Sequence, residues 1–183
     1  MKHPRSVFFA ALAACCILLA GCGPKKPELT RIISAKELLT AEDCTGLYKV
    51  PFKLTNEQFM GHNPPTLERD HVTMIDYQGE HGEMVSITLD QSVSLEESKK
   101  RGQEHRAAYE KEPKFRDVPG FGQSGGWQSG HGHRINFSRA PYRVAVQVIE
   151  VGGEEDDAKQ EERMRHFAKI VDERLKKLAP PQP

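Results

Sequence analysis

Gly122-Gln123-Ser124-Gly125-Gly126 places a serine in the Gly-x-Ser-x-Gly spacing, which can expose a hydroxyl nucleophile at a tight strand-to-helix turn. Such a serine needs a histidine to take its proton and a carboxylate to orient that histidine. His71 with Asp76 or Asp90 could be cast in those roles. A Pro-Gly loop precedes Ser124, however, and Gly126-Trp127-Gln128-Ser129-Gly130 follows it. Neither flank is the regular element that the turn requires, so the stretch reads as a glycine-rich connector and no catalytic residue is expected.

His131-Gly132-His133 offers a second chemistry. Two imidazoles two residues apart lie on one side of an extended chain and could share copper or zinc. His81, flanked by Glu80 and Glu83, would join them if two hairpin ends converge, and His62 and His71 are further possible ligands. There is no second close-spaced ligand pair, no methionine cluster and no cysteine ligand. These histidines therefore read as solvated loop residues, and no cofactor is expected. Phe121, Trp127 and Tyr142 could line a ligand groove, although large apolar side chains favour core packing.

Periodicity supplies the elements that hold these residues. Thr40 with Asp43 reads as a helix amino cap, opening a helix over 40–47 that ends at Gly46. Strands over 71–77 and 83–90 flank a glycine-bearing reversal. In the second of them Val85, Ile87 and Leu89 alternate with Met84, Ser86 and Thr88, so one face is buried. Ser94-Leu95-Glu96-Glu97 opens a polar helix that runs to Glu112, before Pro113. Residues 116–133 read as irregular. A second hairpin pairs 134–137 with 142–151 about Ala140-Pro141. Its second strand sets Tyr142, Val144, Val146 and Val148 against Arg143, Ala145 and Gln147. A long helix over 154–178 carries Met164, Phe167, Ala168, Val171, Leu175 and Leu178 on one stripe. The sum is an α+β fold, with one twisted antiparallel sheet built from two hairpins and helices on one face.

The chain starts differently. Lys2 and Arg5 precede fourteen apolar residues, Val7 to Ala20, too few to span a bilayer, and then comes Leu19-Ala20-Gly21-Cys22. That tetrapeptide resembles the lipobox of bacterial prolipoproteins. The resemblance implies cleavage before Cys22, a diacylglycerol thioether on its sulfur and an acyl chain, such as palmitate, on its new amino terminus. It also divides the chain into a signal at 1–21, lipidated cysteine and tether at 22–33, a domain at 34–178 and a proline-rich tail at 179–183. Gly23 after the cysteine resembles the sorting pattern of outer-membrane lipoproteins, with the domain in the periplasm.

Without the signal, 24 basic residues face 26 acidic ones. That balance supplies no electrostatic reason to bind nucleic acid. Cys15 and Cys16 leave with the signal, so Cys44 is the one thiol left, expected buried and inert.

Val118-Pro119-Gly120-Phe121-Gly122 leading to Trp127, followed by a hydrophobic hairpin and a terminal amphipathic helix, resembles small bacterial envelope lipoproteins of PsbP-like fold. Leu38-Leu39-Thr40 resembles the opening of their domain. The resemblance implies a non-enzymatic, lipid-anchored protein that binds a small ligand or an envelope protein. Cys22→Ala is expected to leave a longer, unlipidated precursor, read by intact-mass spectrometry of the membrane fraction. Unchanged processing overturns the assignment.

Overall fold

A computed structural model describes residues 29, 31–61, 66–111, 115–121, 124–128, 133–150 and 157–179, with the backbone alone at 124–128, 133 and 157. The described elements, in chain order, are α1 (Ala35–Leu38), α2 (Ala41–Tyr48), β1 (Phe52–Gly61), β2 (His71–Gly79), β3 (Met84–Gln91), α3 (Leu95–Tyr109), β4 (Arg116–Asp117), β5 (Ser124–Gln128), β6 (His133–Arg139), β7 (Tyr142–Ile149) and α4 (Asp157–Leu178). The seven strands form one sheet in the order β1-β2-β3-β7-β6-β5-β4, antiparallel throughout. Two meanders thus meet where β3 pairs with β7, and α3 connects one to the other.

The α+β class, the single antiparallel sheet and the long amphipathic C-terminal helix are as the periodicity implies. Ile75, Tyr77, Val85, Ile87, Leu89, Val144, Val146 and Val148 carry the inner face of the sheet. The stripe Met164, Phe167, Ala168, Val171 and Leu175 of α4 closes over it, and all of these side chains are buried. Arg174 of α4 ties the helices together, donating to Asp43 at 2.5 and 2.8 Å and to the Leu38 carbonyl at 3.2 Å. Burial opposes the charge on Asp43, yet the bonds from Arg174 and Thr40 prevail and hold its pKa below the usual value.

The structure adds features that periodicity does not show. β1 is a ten-residue edge strand by pairing, Phe52 to Gly61, and its side chains are mostly exposed. A register shift between Leu54 and Asn56 changes the phase, so that Leu54 and Glu57, three apart, both face the inner side. An edge strand with a bulge has no period-two signature to read. β4 and β5 occupy part of the segment expected to be irregular. Glycines at 125 and 126 conceal a strand whose backbone pairs with β6 regardless. Finally, α3 lies on the sheet's outer face, opposite the other three helices.

Two boundaries move. Leu29 and Ile33 are core residues, so the domain begins within the expected tether. The fully buried Gln91 holds this entry strand: its Oε1 accepts from Ile33 N at 2.8 Å and its Nε2 donates to Ile33 O at 2.7 Å. At the other end Ala179, expected in the tail, donates its N–H to Leu175 O at 2.8 Å and packs against the core. The signal and Cys22 lie outside the described residues.

α2 also passes the expected stop at Gly46 and ends two residues later. Its last residue, Tyr48, packs its ring tilted against Phe52 at 5.1 Å and stacked on Phe167 at 6.3 Å. Lys49 then takes a left-handed φ of 61°, a position that glycine fills more cheaply. Lys49→Gly is expected to gain about 1 kcal/mol. Gly46→Ala, with open space around the new methyl group, is expected to gain about 0.5–1 kcal/mol. Urea denaturation of each variant checks both values, and a lower midpoint for either contradicts this account of the helix end.

Candidate functional site

Strand alternation sends a different set of residues to the outer face. Val72, Asp90, Arg143 and Ser138 follow one another across β2, β3, β7 and β6. Met74, Thr88, Ala145 and Asn136 form the next row, and Asp76, Ser86, Gln147 and Arg134 the third. This polar face is internally bonded in places. Asp76 accepts from Ser86 Oγ at 2.5 Å and from Asn56 Nδ2 at 2.8 Å, linking three strands. Arg134 donates to Gln147 Oε1 at 3.3 Å.

α3 covers one part of the face. Ser94 caps it, accepting from Glu97 N at 3.3 Å. Its sequence is almost wholly polar, and Ser98 is its one buried residue. The helix sits close because residue 102 is glycine: a Cβ there would come within 3.3 Å of Ser138 Oγ. Side contacts fix its position. Arg101 pairs with Asp70 at 2.6 Å, while Arg106 pairs with Asp117 and lies 5.1 Å above the Phe115 ring centre.

Between α3 and the sheet lies a cleft of about 270 Å³. Its floor contains Asp90, Arg143 and Asn136, and its roof His105, Arg106 and Tyr109, with Phe115 and Val72 as apolar walls. Arg143 and Asp90 form an ion pair whose side chains are 11% and 17% exposed. Among the described residues, the buried atoms Arg143 Nε, Arg143 Nη1, Asp90 Oδ1 and Asn136 Nδ2 have no hydrogen-bond partner. A buried polar atom left unsatisfied costs about 1–3 kcal/mol, so such atoms are ordinarily paired. Here four of them adjoin one cleft. Burial and then the Arg143 charge push the His105 pKa below its ordinary value, against the opposing influence of Asp90.

The residues singled out from sequence fall elsewhere. Ser124 opens β5, four strands along the sheet from His71 and Asp76 on β2, about 19 Å at the usual strand spacing. His71 is buried beside Gln91, whose Nε2 lies 2.8 Å from its Nε2; the amide donates there, leaving the ring proton on Nδ1. Asp90, the other carboxylate considered, pairs with Arg143. His81 is exposed in the β2–β3 turn, its backbone N donating to Glu83 Oε2 at 3.1 Å. His133 begins β6 at that same end of the sheet, in the row of Val148, Val85 and Tyr77. His131 lies outside the described residues. No group of three metal-binding side chains occurs among the described residues.

Of the three aromatic candidates, Phe121 packs in the core against Phe137, with ring centres 5.9 Å apart. Tyr142 is also a core residue, its hydroxyl donating to Arg31 O at 3.3 Å. Trp127 stands in β5 opposite Ile135 and Arg116 by backbone register. The cleft therefore uses other residues. Cys44 is buried, and burial followed by the charge on Asp43 pushes its thiol up to about 12, which makes it a poor nucleophile.

The sequence does carry a signal for the cleft. Asp90 and Arg143 are charges on the non-core side of two strands whose other side carries Val85, Ile87 and Leu89 and Tyr142, Val144, Val146 and Val148. A charge there needs an opposite partner, and only the pairing of β3 with β7 supplies it.

No protein-family model, curated protein or solved structure matches this chain.

The His105 resonance is expected to titrate below its ordinary midpoint of about 6.5, and Arg143→Gln to move it upward by removing the like charge. The pH titration of the ring protons by NMR checks this. An unmoved midpoint in the variant means that Arg143 does not act on His105.

Proposed function

We propose that this chain is a lipid-anchored cell-envelope protein without catalytic activity, whose periplasmic domain binds a small amphiphilic anion in the cleft under α3. The unpartnered donors of Arg143 and Asn136, buried just beneath the cleft floor, carry the ligand-binding half of this reading. Their number at one place favours an occupant that accepts hydrogen bonds. Arg134 and Arg106 add positive character, while Tyr109, Phe115 and Val72 offer an apolar wall. A carboxylate with a small aromatic or short aliphatic body matches both halves. The volume lies just under the usual range of about 300–1,000 Å³, which favours a compact ligand over a long acyl chain.

The anchor half rests on Leu19-Ala20-Gly21-Cys22 and the basic, apolar stretch before it. Among the described residues no helix is long and apolar enough to cross a membrane. The absence of catalytic activity is supported by the separation of Ser124 from His71 and Asp76 along the sheet. The outer membrane is the proposed site, from Gly23.

Thermal denaturation of the full chain with benzoate, hexanoate or inorganic phosphate tests the binding reading. Benzoate or hexanoate is expected to raise Tm, since a ligand at a hundred times its Kd stabilises by about 2.7 kcal/mol. Phosphate alone is expected to act weakly. Arg143→Gln and Arg134→Gln, each compared with its own unliganded Tm, should diminish the shift. No shift with either carboxylate overturns this ligand class.

A further inference from the structure

We propose that one pole of the domain, bearing Phe59, Met60 and Leu67, rests against the bilayer, so that the protein meets its membrane through side chains as well as through lipid. This inference rests on the reading of Cys22 as the lipidated residue.

The apolar side chains flank one end of β1, Phe59 on the inner face of the sheet and Met60 on the outer. Among the described residues four large hydrophobics are exposed, and Phe59 at 45%, Met60 at 50% and Leu67 at 39% all lie about the β1–β2 connection. Phe59 and Met60 close β1 just before Gly61, and Leu67 precedes β2. Half-exposed side chains of this size gain by leaving water for the boundary between headgroups and acyl chains.

The chain enters the fold at the same pole. Gly61 pairs with His71, His71 with Gln91, and Gln91 with Tyr142, which makes one row across four strands. Gln91 and Tyr142 are the residues that hold the entering segment, through Ile33 and Arg31. The apolar tip therefore stands about 10 Å, two strand spacings, from the Gln91 clasp. Leu29 is already buried. Residues 23–28 alone separate it from Cys22, and their full extension reaches about 25 Å.

A lipid on Cys22 then holds this pole within about 25 Å of the bilayer. The opposite pole, the β2–β3 turn with exposed Glu80 and His81, points away. Charges at the near pole are mixed, with Arg31 against Glu68 and Asp70, so apolar contact is the main attraction. Tethering multiplies it, because the side chains act at a high effective concentration.

The test uses the full, lipidated chain in vesicles of phosphatidylethanolamine and phosphatidylglycerol, with a nitroxide on Met60→Cys or, as the distal control, Glu80→Cys. Buried Cys44 does not take the label. Power-saturation EPR is expected to give residue 60 a severalfold higher ratio of oxygen to nickel-chelate accessibility than residue 80. Phe59→Ser with Leu67→Ser should return residue 60 toward the aqueous value. Equal ratios at 60 and 80, on protein whose amino-terminal peptide carries the lipid mass, overturn the proposal and leave the anchor standing. Spin–spin broadening at 60 with shielding from both reagents overturns it in favour of a second copy pairing along β1. An amino-terminal peptide without lipid removes the anchor reading and this inference with it.

Discussion

The pairing of β3 with β7 is the constraint on which the rest of the domain depends. Eight residue pairs, from Met84–Ile149 to Gln91–Tyr142, join two meanders that are otherwise separate in the chain. Their register decides both faces at once, because successive side chains alternate between them. In this register Val85, Ile87 and Leu89 meet Val148, Val146 and Val144 on the inner face. Asp90 meets Arg143 on the outer one. A slip of β3 by one residue would turn Asp90 into the core, away from Arg143, and turn Val85, Ile87 and Leu89 outward, so the hydrophobic and electrostatic preferences select the same alignment.

The two faces have different consequences. The inner face is closed by α1, α2 and α4, and several polar groups there are satisfied: Gln91 by the Ile33 backbone and His71, Tyr77 by the Leu39 carbonyl, Asp43 by Arg174, whereas the buried amide of Gln160 on α4 has no partner among the described residues. The outer face is roofed in part by α3, a helix with little apolar surface to bury. Its contacts are largely ionic and partly exposed, and such pairs contribute little each. Unsatisfied polar atoms of Asp90, Asn136 and Arg143 collect beneath it.

The entry segment gives the fold a direction. Because Ile33 is clasped by Gln91 at one end of the sheet, the amino-terminal side of the domain and its exposed apolar tip share a pole. The cleft floor begins in the adjoining row, at Asp90 and Arg143.

Much of this architecture is written locally. Alternation identified β2, β3 and β7, three-four spacing identified α4, and the Thr40–Asp43 pair identified the start of α2, because each is a periodicity of one element against one core. The lipobox resemblance rests on contiguous residues and needs no fold. Tertiary structure decided the remainder. β1 carries no alternation, since an edge strand with a bulge is wet on both sides, and β5 is masked by glycines that still pair their backbones. Asp90, Arg143, Asn136 and His105 lie far apart in the chain, and each alone reads as an ordinary solvated polar residue. Only the strand order and the seating of α3 through Gly102 bring them to one cleft, because cross-strand neighbours are set by long-range register, which no local pattern encodes.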